Sequence, residues 1–533
     1  MTSLALDIGT ARTSAAWYDP QEHAPALVLH EESTMERAGG PSARAPGLAS
    51  LQAALDGVAR RIPDAVPTSL LIVEPRRQRR AWAEQVQAWK DAVPSLRFGS
   101  HTASPAVSWV GHAVAAAAYR CWSLKGDPRR AVPDGATLLV LDMGASGLDL
   151  DLVRVGAEPL ALAVIDGSSG PEGGDLADHL LCLELCRRYG AAARLALPRT
   201  PRDLQDTLSR GSMPFLTGWL QDCRELKRAF CVHAGHLRGG DWARLRPPQQ
   251  SFQAPGHAAV EFALDRATFE DSLEPLYRRA GERLQQLLAR QTEEDRPVAV
   301  VLTGGSAALH GLHERLLQPA LASALGEPAA RGLLAGIEVP GDRLLRPAAL
   351  GAALIAAGVV QPLERLPHDI AITGTLSPAL ARALGMPPGP VLVTPVLTRG
   401  AVLPTTISSR DLGLIVSVGA ERGFQLGIAI DAGPHRVQYL WWDAQAAGTH
   451  QPTSVVWRLT VVRGDLLRLE VELPEGRTLR LDGSLDLPDP GQEPEPRPVS
   501  ACTASVRRVA PGWIREVIEE ALAPAGPQKE VSR

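Results

Sequence analysis

The stretch LLVLDMGASGLDLDLV at residues 138–153 decides the fold class. Its apolar run ends on Asp142 and breaks at Gly144-Ala145-Ser146-Gly147 before Leu148-Asp149, which predicts a buried strand followed by an acidic, glycine-rich turn. Two other stretches read alike. LALDIGTART at 4–13 puts Asp7 at a strand end before Gly9, Thr10, Ala11 and Arg12, and VVLTGGSAA at 300–308 ends a strand at Thr303 before Gly304, Gly305 and Ser306. Glycine lets the backbone approach a ligand and aim N–H groups at it, which is what cradling phosphate oxygens requires. An aspartate at the strand end, here Asp7 or Asp142, can hold the waters of a magnesium ion that bridges phosphates, and Thr10 adds a hydroxyl at the same height. One such turn alone is ordinary, because Asp-x-Gly commonly marks a turn that needs a small residue. Three in this order, followed by a Gly- and Ala-rich helix from Pro347 to Gly358, are specific.

Working outward, Leu4 to Leu6, Leu70 to Val73, Thr137 to Leu141 and Val298 to Leu302 read as strands. Arg77 to Ala92, Asp175 to Tyr189, Phe215 to Phe230 and Arg266 to Arg290 carry apolar residues at helical spacing. This alternation predicts an α/β nucleotide-binding domain over 1–360. Beyond it the pattern changes to short alternating segments, Val391 to Val396, Gly413 to Val418, Gln425 to Ile430, Val455 to Val462 and Leu466 to Leu473, which predict a β-sandwich over 389–487 behind a linker at 361–388. The remainder, 488–533, reads as a Pro-rich linker and one short helix from Gly512 to Leu522. No internal repeat is legible.

Composition narrows the function. With 533 residues the chain exceeds one compact core, and a formal net charge of -4 leaves no basic excess to collect nucleic acid or an acidic membrane surface. The start runs straight into a strand without a signal peptide's apolar core, and no apolar run spans a bilayer, so a cytoplasmic protein is expected. Six cysteines in so long a chain make no disulfide framework. His179, Cys182 and Cys186 share a helical face, with a buried apolar face the favoured reading over a metal site. No P-loop and no Gly-x-Gly-x-x-Gly occurs, which removes two common nucleotide folds.

The ordered turns resemble the phosphate, adenosine and connecting motifs of the actin-like (ribonuclease-H-like) ATPases. Further segments are similar to the seventy-kilodalton heat-shock chaperones, the DnaK type. SPAVSWVG at 104–111 resembles that family's Glu-Pro-Thr-Ala-Ala helix, GGDLAD at 173–178 its Gly-Gly-Glu-Asp-Phe-Asp helix start, and CRELKR at 223–228 its adenosine-contacting helix with Lys227 and Arg228. Phe269-Glu270 resembles its Arg-Phe-Glu-Glu segment, and VTPVLTRGAVLPT at 393–405 the hairpin that opens its substrate-binding β-domain. The resemblance covers roughly residues 1 to 485. It implies a two-lobed domain binding ATP or ADP with magnesium, with Thr10, Asp142 and Asp149 in catalytic roles. It also implies a β-sandwich for extended polypeptide clients, and a co-chaperone or exchange factor as partner.

Departures from the family pattern imply poor hydrolysis. The family's lysine after the first phosphate loop is missing, since the first lysine here is Lys90, and Arg44 is no conservative replacement. On the same alignment the family's Glu falls on Ser104, its second-loop Gly-Gly-Gly-Thr becomes Gly144-Ala145-Ser146-Gly147 so that the Thr hydroxyl is lost with only Ser146, one position away, to replace it, its adenine-stacking Arg falls on Ala308, and the acid of the adenosine helix on Arg224. Phosphoryl transfer depends on positioning and electrostatics, so these losses reduce turnover more than binding. The linker LERLPHDIAI at 363–372 interrupts the family's aliphatic run, and no long helical lid follows. A lidless chaperone is therefore expected, with a pseudo-ATPase scaffold serving one dedicated protein partner as the alternative; a small-molecule kinase leaves the 393–405 segment unexplained.

Overall fold

The structure is a computed structural model that describes residues 3–8, 12–32, 48–62, 66–74, 97–98, 101–102, 105–125, 131–156, 160–235, 246–337, 346–363, 366, 370–375, 390–398, 401–410, 416–418, 424–430, 437–442, 453–462, 466–472, 476 and 478–484. The helices expected over 77–92 and 512–522, the tail 488–533, Arg44, Lys90 and Ser104 lie outside these residues. The chain divides into two compact units, Met1–Leu162 with Asp166–Pro362, and Ala163–Ile165 with Leu363–Arg533.

The first unit is mixed α/β and contains two five-stranded sheets in which four strands follow one order and the fifth lies on opposite edges. In the first sheet, β1 (Ser3–Ile8), β2 (Arg12–Asp19) and β3 (Ala24–Glu32) form a meander, and β4 (Ser69–Glu74) joins β1 on its other side. The β1–β2 and β2–β3 pairs are antiparallel and β1–β4 is parallel. A two-residue-strand hairpin, β5 (Arg97–Phe98) with β6 (His101–Thr102), precedes β7 (Ala106–Gly111), which runs parallel to β4. In the second sheet, β8 (Thr137–Met143), β9 (Leu148–Gly156) and β10 (Ala161–Gly170) lie side by side in the same way. A hairpin of β11 (Gln249–Phe252) and β12 (Val260–Ala263) intervenes before β13 (Pro297–Thr303), which lies parallel to β8 as β4 does to β1. β14 (Gln361–Leu363) closes the order β13-β8-β9-β10-β14. The sequence carried this duplication without showing it as a repeat.

Strand alternation sets the two faces of the first sheet. Leu4 and Leu6 pack with Leu51, Leu55 and Val58 of the helix Leu48–Arg61 and with Phe98, forming one core. The other face presents Ala5, opposite Ala16, and then Asp7. Those small side chains leave room for the helix Pro347–Ala356, which packs on β1, β2, β3 and β4 although it follows the second sheet in the chain. The helix His112–Leu124 follows β7 yet reaches β8, β9 and β13. The two helices meet almost backbone to backbone: a Cβ on Gly351 would stand 1.7 Å from the Ala115 carbonyl oxygen. Ala113 to Ala118 and Pro347 to Leu354 are all buried, so this crossing is the centre of the unit.

Among the described residues the second unit is all β and antiparallel. One sheet runs β16 (Pro390–Leu397), β15 (Ile370–Thr375), β19 (Phe424–Ile430), β20 (Val437–Trp442). The other runs β17 (Thr405–Ser408), β21 (Thr453–Val461), β22 (Leu466–Glu472), β23 (Thr478–Ser484), with β18 (Val416–Val418) also on β21. Trp457, Leu459, Val461, Leu467, Leu469 and Val471 are buried, and a buried Arg468–Asp482 pair makes two hydrogen bonds of 2.7 and 3.2 Å. Two expectations change here. The stretch 361–388 is not all linker, because Ile370–Thr375 is an inner strand paired on both sides, and Leu366 is buried with its N–H donating to the Ala401 carbonyl. The stretch 393–405 is not a hairpin: β16 pairs with β15 and β17 with β21, so the chain there changes sheet.

Candidate functional site

Four parallel-strand ends of the first unit carry the predicted turns or their neighbours. Asp7 lies at the carboxyl end of β1, His112 directly follows β7, Asp142 is one residue from the end of β8, and Gly304 follows β13. Carboxyl ends of strands in open α/β sheets are where ligands ordinarily bind.

His112 brings the two sheets' acids together. Its Nδ1 is 3.3 Å from Asp142 Oδ2 and its Nε2 is 4.0 Å from Asp7 Oδ2. The ring is only 13% exposed, and it is the first residue of the helix His112–Leu124, whose amino end favours negative charge. Burial pushes the Asp7 carboxyl up to about 6, an effect that His112 opposes and Asp142 reinforces. Burial pushes Asp142 up to about 7, with Asp151 adding to the rise. Asp142 stands directly opposite Asp149 across the β8–β9 ladder, so the two carboxylates share a sheet face. Asp149 and Asp151 are both buried.

The turn Gly144–Gly147 is fastened to the start of the helix Gly174–Ala193. Gly174 N–H donates to the Gly144 carbonyl at 3.0 Å and Asp175 N–H to the Ala145 carbonyl at 2.8 Å. Only glycine fits at 173, where a Cβ would lie 2.4 Å from Gly147 N. The third turn closes on the same place. Gly304 has φ +86°, and a Cβ there would be 2.4 Å from Asp142 Oδ1 and 2.5 Å from the Met143 carbonyl. A Cβ on Gly174 would reach Ser306 Oγ at 2.6 Å and Lys227 Nζ at 3.5 Å. Lys227 Nζ is 2.6 Å from Asp178 Oδ1 and donates to the Gly174 carbonyl at 3.0 Å, while Arg224 Nε is 2.9 Å from Asp178 Oδ2.

Of the predicted residues, Asp7, Asp142, Asp149, Gly144, Ala145, Gly304, Ser306 and Lys227 thus fall in one neighbourhood, with Ser146 in the same turn and Gly305 exposed beside Ser306. Arg228 is exposed on the helix Phe215–Gly235. Gly9, Thr10 and Ala11 lie outside the described residues, and Arg12 opens β2. No protein-family model matches the chain, and no curated protein matches it. Glu270, in the segment likened to Arg-Phe-Glu-Glu, is held by Arg266, Arg315 and His310 and its carboxyl is lowered overall, burial opposing those three partners. Cys182 and Cys186 are buried, beside Cys223, and their thiols are pushed well up.

The residue that sequence reading missed is His112. The segment 104–111, likened to a helix, contains strand β7, and the helix begins at His112. The place at the helix head given to Ser104 therefore passes to a histidine. Magnesium was expected at Asp7 and Asp142, but an imidazole stands between those carboxylates, and no group of three His, Cys, Asp or Glu among the described residues is arranged to hold a metal. No helix among the described residues is long and apolar enough to cross a membrane.

Proposed function

We propose that this chain is an ATP- or ADP-binding protein of actin-like architecture, allied to the seventy-kilodalton heat-shock chaperones, with little or no hydrolysis and with a β-sandwich that holds extended polypeptide. The observation that carries this reading is the convergence of Asp7 and Asp142, equivalent acids of two sheets that share the order of four strands, at the point where the Gly144–Gly147 and Gly304–Ser306 turns meet. Two such halves facing each other across strand carboxyl ends suit a ligand with a phosphate tail and a base at opposite ends. Calorimetric titration of the full chain with ADP and ATP tests it: saturable binding at micromolar concentration is expected, and no heat at high micromolar nucleotide rejects it. Steady-state hydrolysis should stay near background, since Lys227, the only described lysine beside these turns, is engaged by Asp178. Activity equal to an ordinary chaperone ATPase, abolished by Asp142→Asn, would overturn the low-turnover part.

A second reading, a pseudo-ATPase scaffold with one dedicated partner, is favoured by the pairing of Lys227 with Asp178 and its hydrogen bond to the Gly174 carbonyl, which ties that ammonium into the helix start instead of leaving it for a phosphate. Fluorescence anisotropy of unrelated apolar peptides against the full chain separates the two. Promiscuous, fast-exchanging binding supports the chaperone, through backbone hydrogen bonds and side-chain pockets; silence across the panel supports the scaffold.

A further inference from the structure

We propose that His112 occupies the place a divalent cation would take between Asp7 and Asp142, so that nucleotide binding by this protein does not depend on magnesium. The inference rests on the nucleotide reading above. Each ring nitrogen faces a different carboxylate, Nδ1 at 3.3 Å from Asp142 and Nε2 at 4.0 Å from Asp7, so the ring lies between the acids rather than beside them. A chelated metal would need oxygens and one nitrogen gathered round a common centre, whereas here each ring nitrogen stands nearest a different acid and Nδ1, 3.3 Å from Asp142, is buried without a hydrogen bond. Magnesium also demands six oxygens at about 2.0–2.1 Å and keeps several of its waters. That shell and the imidazole cannot share one space.

The surroundings fix the ring there. His112 follows Gly111 at the end of β7, whose register on β4 is set by five further pairs from Ser69↔Ala106 to Val73↔Val110. Behind it, Ala113 to Ala118 are buried against the helix Pro347–Ala356, with Gly351 against the Ala115 carbonyl, so the helix start cannot retreat. On the far side Gly304 abuts Asp142, and Asp149 lies opposite Asp142, so that carboxylate cannot turn away from the ring freely. The helix amino end adds favourable field for the two acids without any ion. A phosphate tail entering this cleft would then meet backbone N–H groups and an imidazole edge instead of a hydrated metal.

The experiment compares wild type, His112→Ala and His112→Gln as full chains, each checked by circular dichroism. ADP and ATP binding is measured by calorimetry in EDTA and in excess magnesium, and free-chain metal binding by manganese electron paramagnetic resonance. The wild type should bind nucleotide with the same affinity, within about twofold, in both buffers, and should hold no manganese. His112→Ala should bind about tenfold or more tightly with magnesium than with EDTA and should acquire a manganese site. His112→Gln, whose amide keeps bulk and a donor, should behave as wild type. Wild-type binding that needs magnesium, or stoichiometric manganese on the wild type, overturns the proposal. If no nucleotide binds in any buffer, the nucleotide reading is lost and the manganese comparison decides alone: a signal from His112→Ala only upholds the substitution of ring for cation, and a signal from both chains or from neither refutes it.

Discussion

The first and second sheets of the first unit share the order of four strands but not a charge pattern. β1 brings one acid, Asp7, to its carboxyl end, with the small residues Ala5 and Ala16 behind it. β8 brings Asp142 into a hairpin whose partner strand adds Asp149 and Asp151, all three held by strands that are otherwise buried along their length. Burial raises both carboxyls, to about 6 for Asp7 and about 7 for Asp142, with Asp142 adding to the first rise and Asp151 to the second. Duplication of the backbone has thus left two unequal halves, one supplying room for a helix and the other supplying negative charge, and His112 joins them.

The largest effect should come from breaking the helix crossing that ties the halves together. Gly351→Ala places a methyl 1.7 Å from a backbone carbonyl that has no free direction to move, and should cost about 4 kcal/mol or more in thermal or denaturant unfolding. Gly332→Ala, at an exposed position of the helix Glu327–Ala335 with nothing within 4 Å, is the control and should be neutral or stabilise by up to about 1 kcal/mol. Gly304→Ala tests the second half alone. Its positive φ and the nearby Asp142 and Met143 oxygens predict a loss of about 2–3 kcal/mol and of nucleotide binding, read by melting and calorimetry.

A subtler test separates the two acids by pH. Both carboxyls sit above their ordinary value of 3.8, so between that value and about 6 or 7 the folded chain holds protons that the unfolded chain has released. Ligand-free stability should therefore be greatest on the acid side of this window and fall as pH rises through 6 to 7. Asp142→Asn should flatten the upper part of the slope and Asp7→Asn the lower part. A melting temperature that rises from pH 5 to pH 8 contradicts this assignment.

The strands β1, β4, β8 and β13 were legible because each is an apolar run stopped by an acid or a glycine turn, the pattern that a buried parallel strand imposes. Their neighbours were less so: Arg12–Asp19 mixes small, polar and aromatic residues and takes its strand character from register against β1, while β9, although Leu and Asp alternate over 148–152, was hidden behind the glycine turn that it follows. The repeat stayed hidden because the two halves match only at Asp-x-Gly. His112 was hidden by a resemblance laid on 104–111, although Gly111 followed by an alanine-rich run from His112 to Leu124 was the available signal of a helix start. β15 was absorbed into the linker because Pro367 interrupts the apolar residues before Ile370, and only pairing on both sides makes that segment a strand.

The exchange of helices between the two sheets also governs the order in which the molecule can be completed on the ribosome. The face of the first sheet that carries Ala5 and Ala16 is covered by residues 347–356, so the earliest strands of the chain await some of the latest residues of their unit. At about 5–20 residues per second, roughly 15 to 55 seconds separate the synthesis of Glu74 from that of Pro347. Throughout that interval the amino-terminal half exposes an apolar, alanine-lined surface to solvent or to whatever binds nascent chains. A truncation before 347 should leave the first sheet uncovered and the second without β14 instead of yielding one stable half.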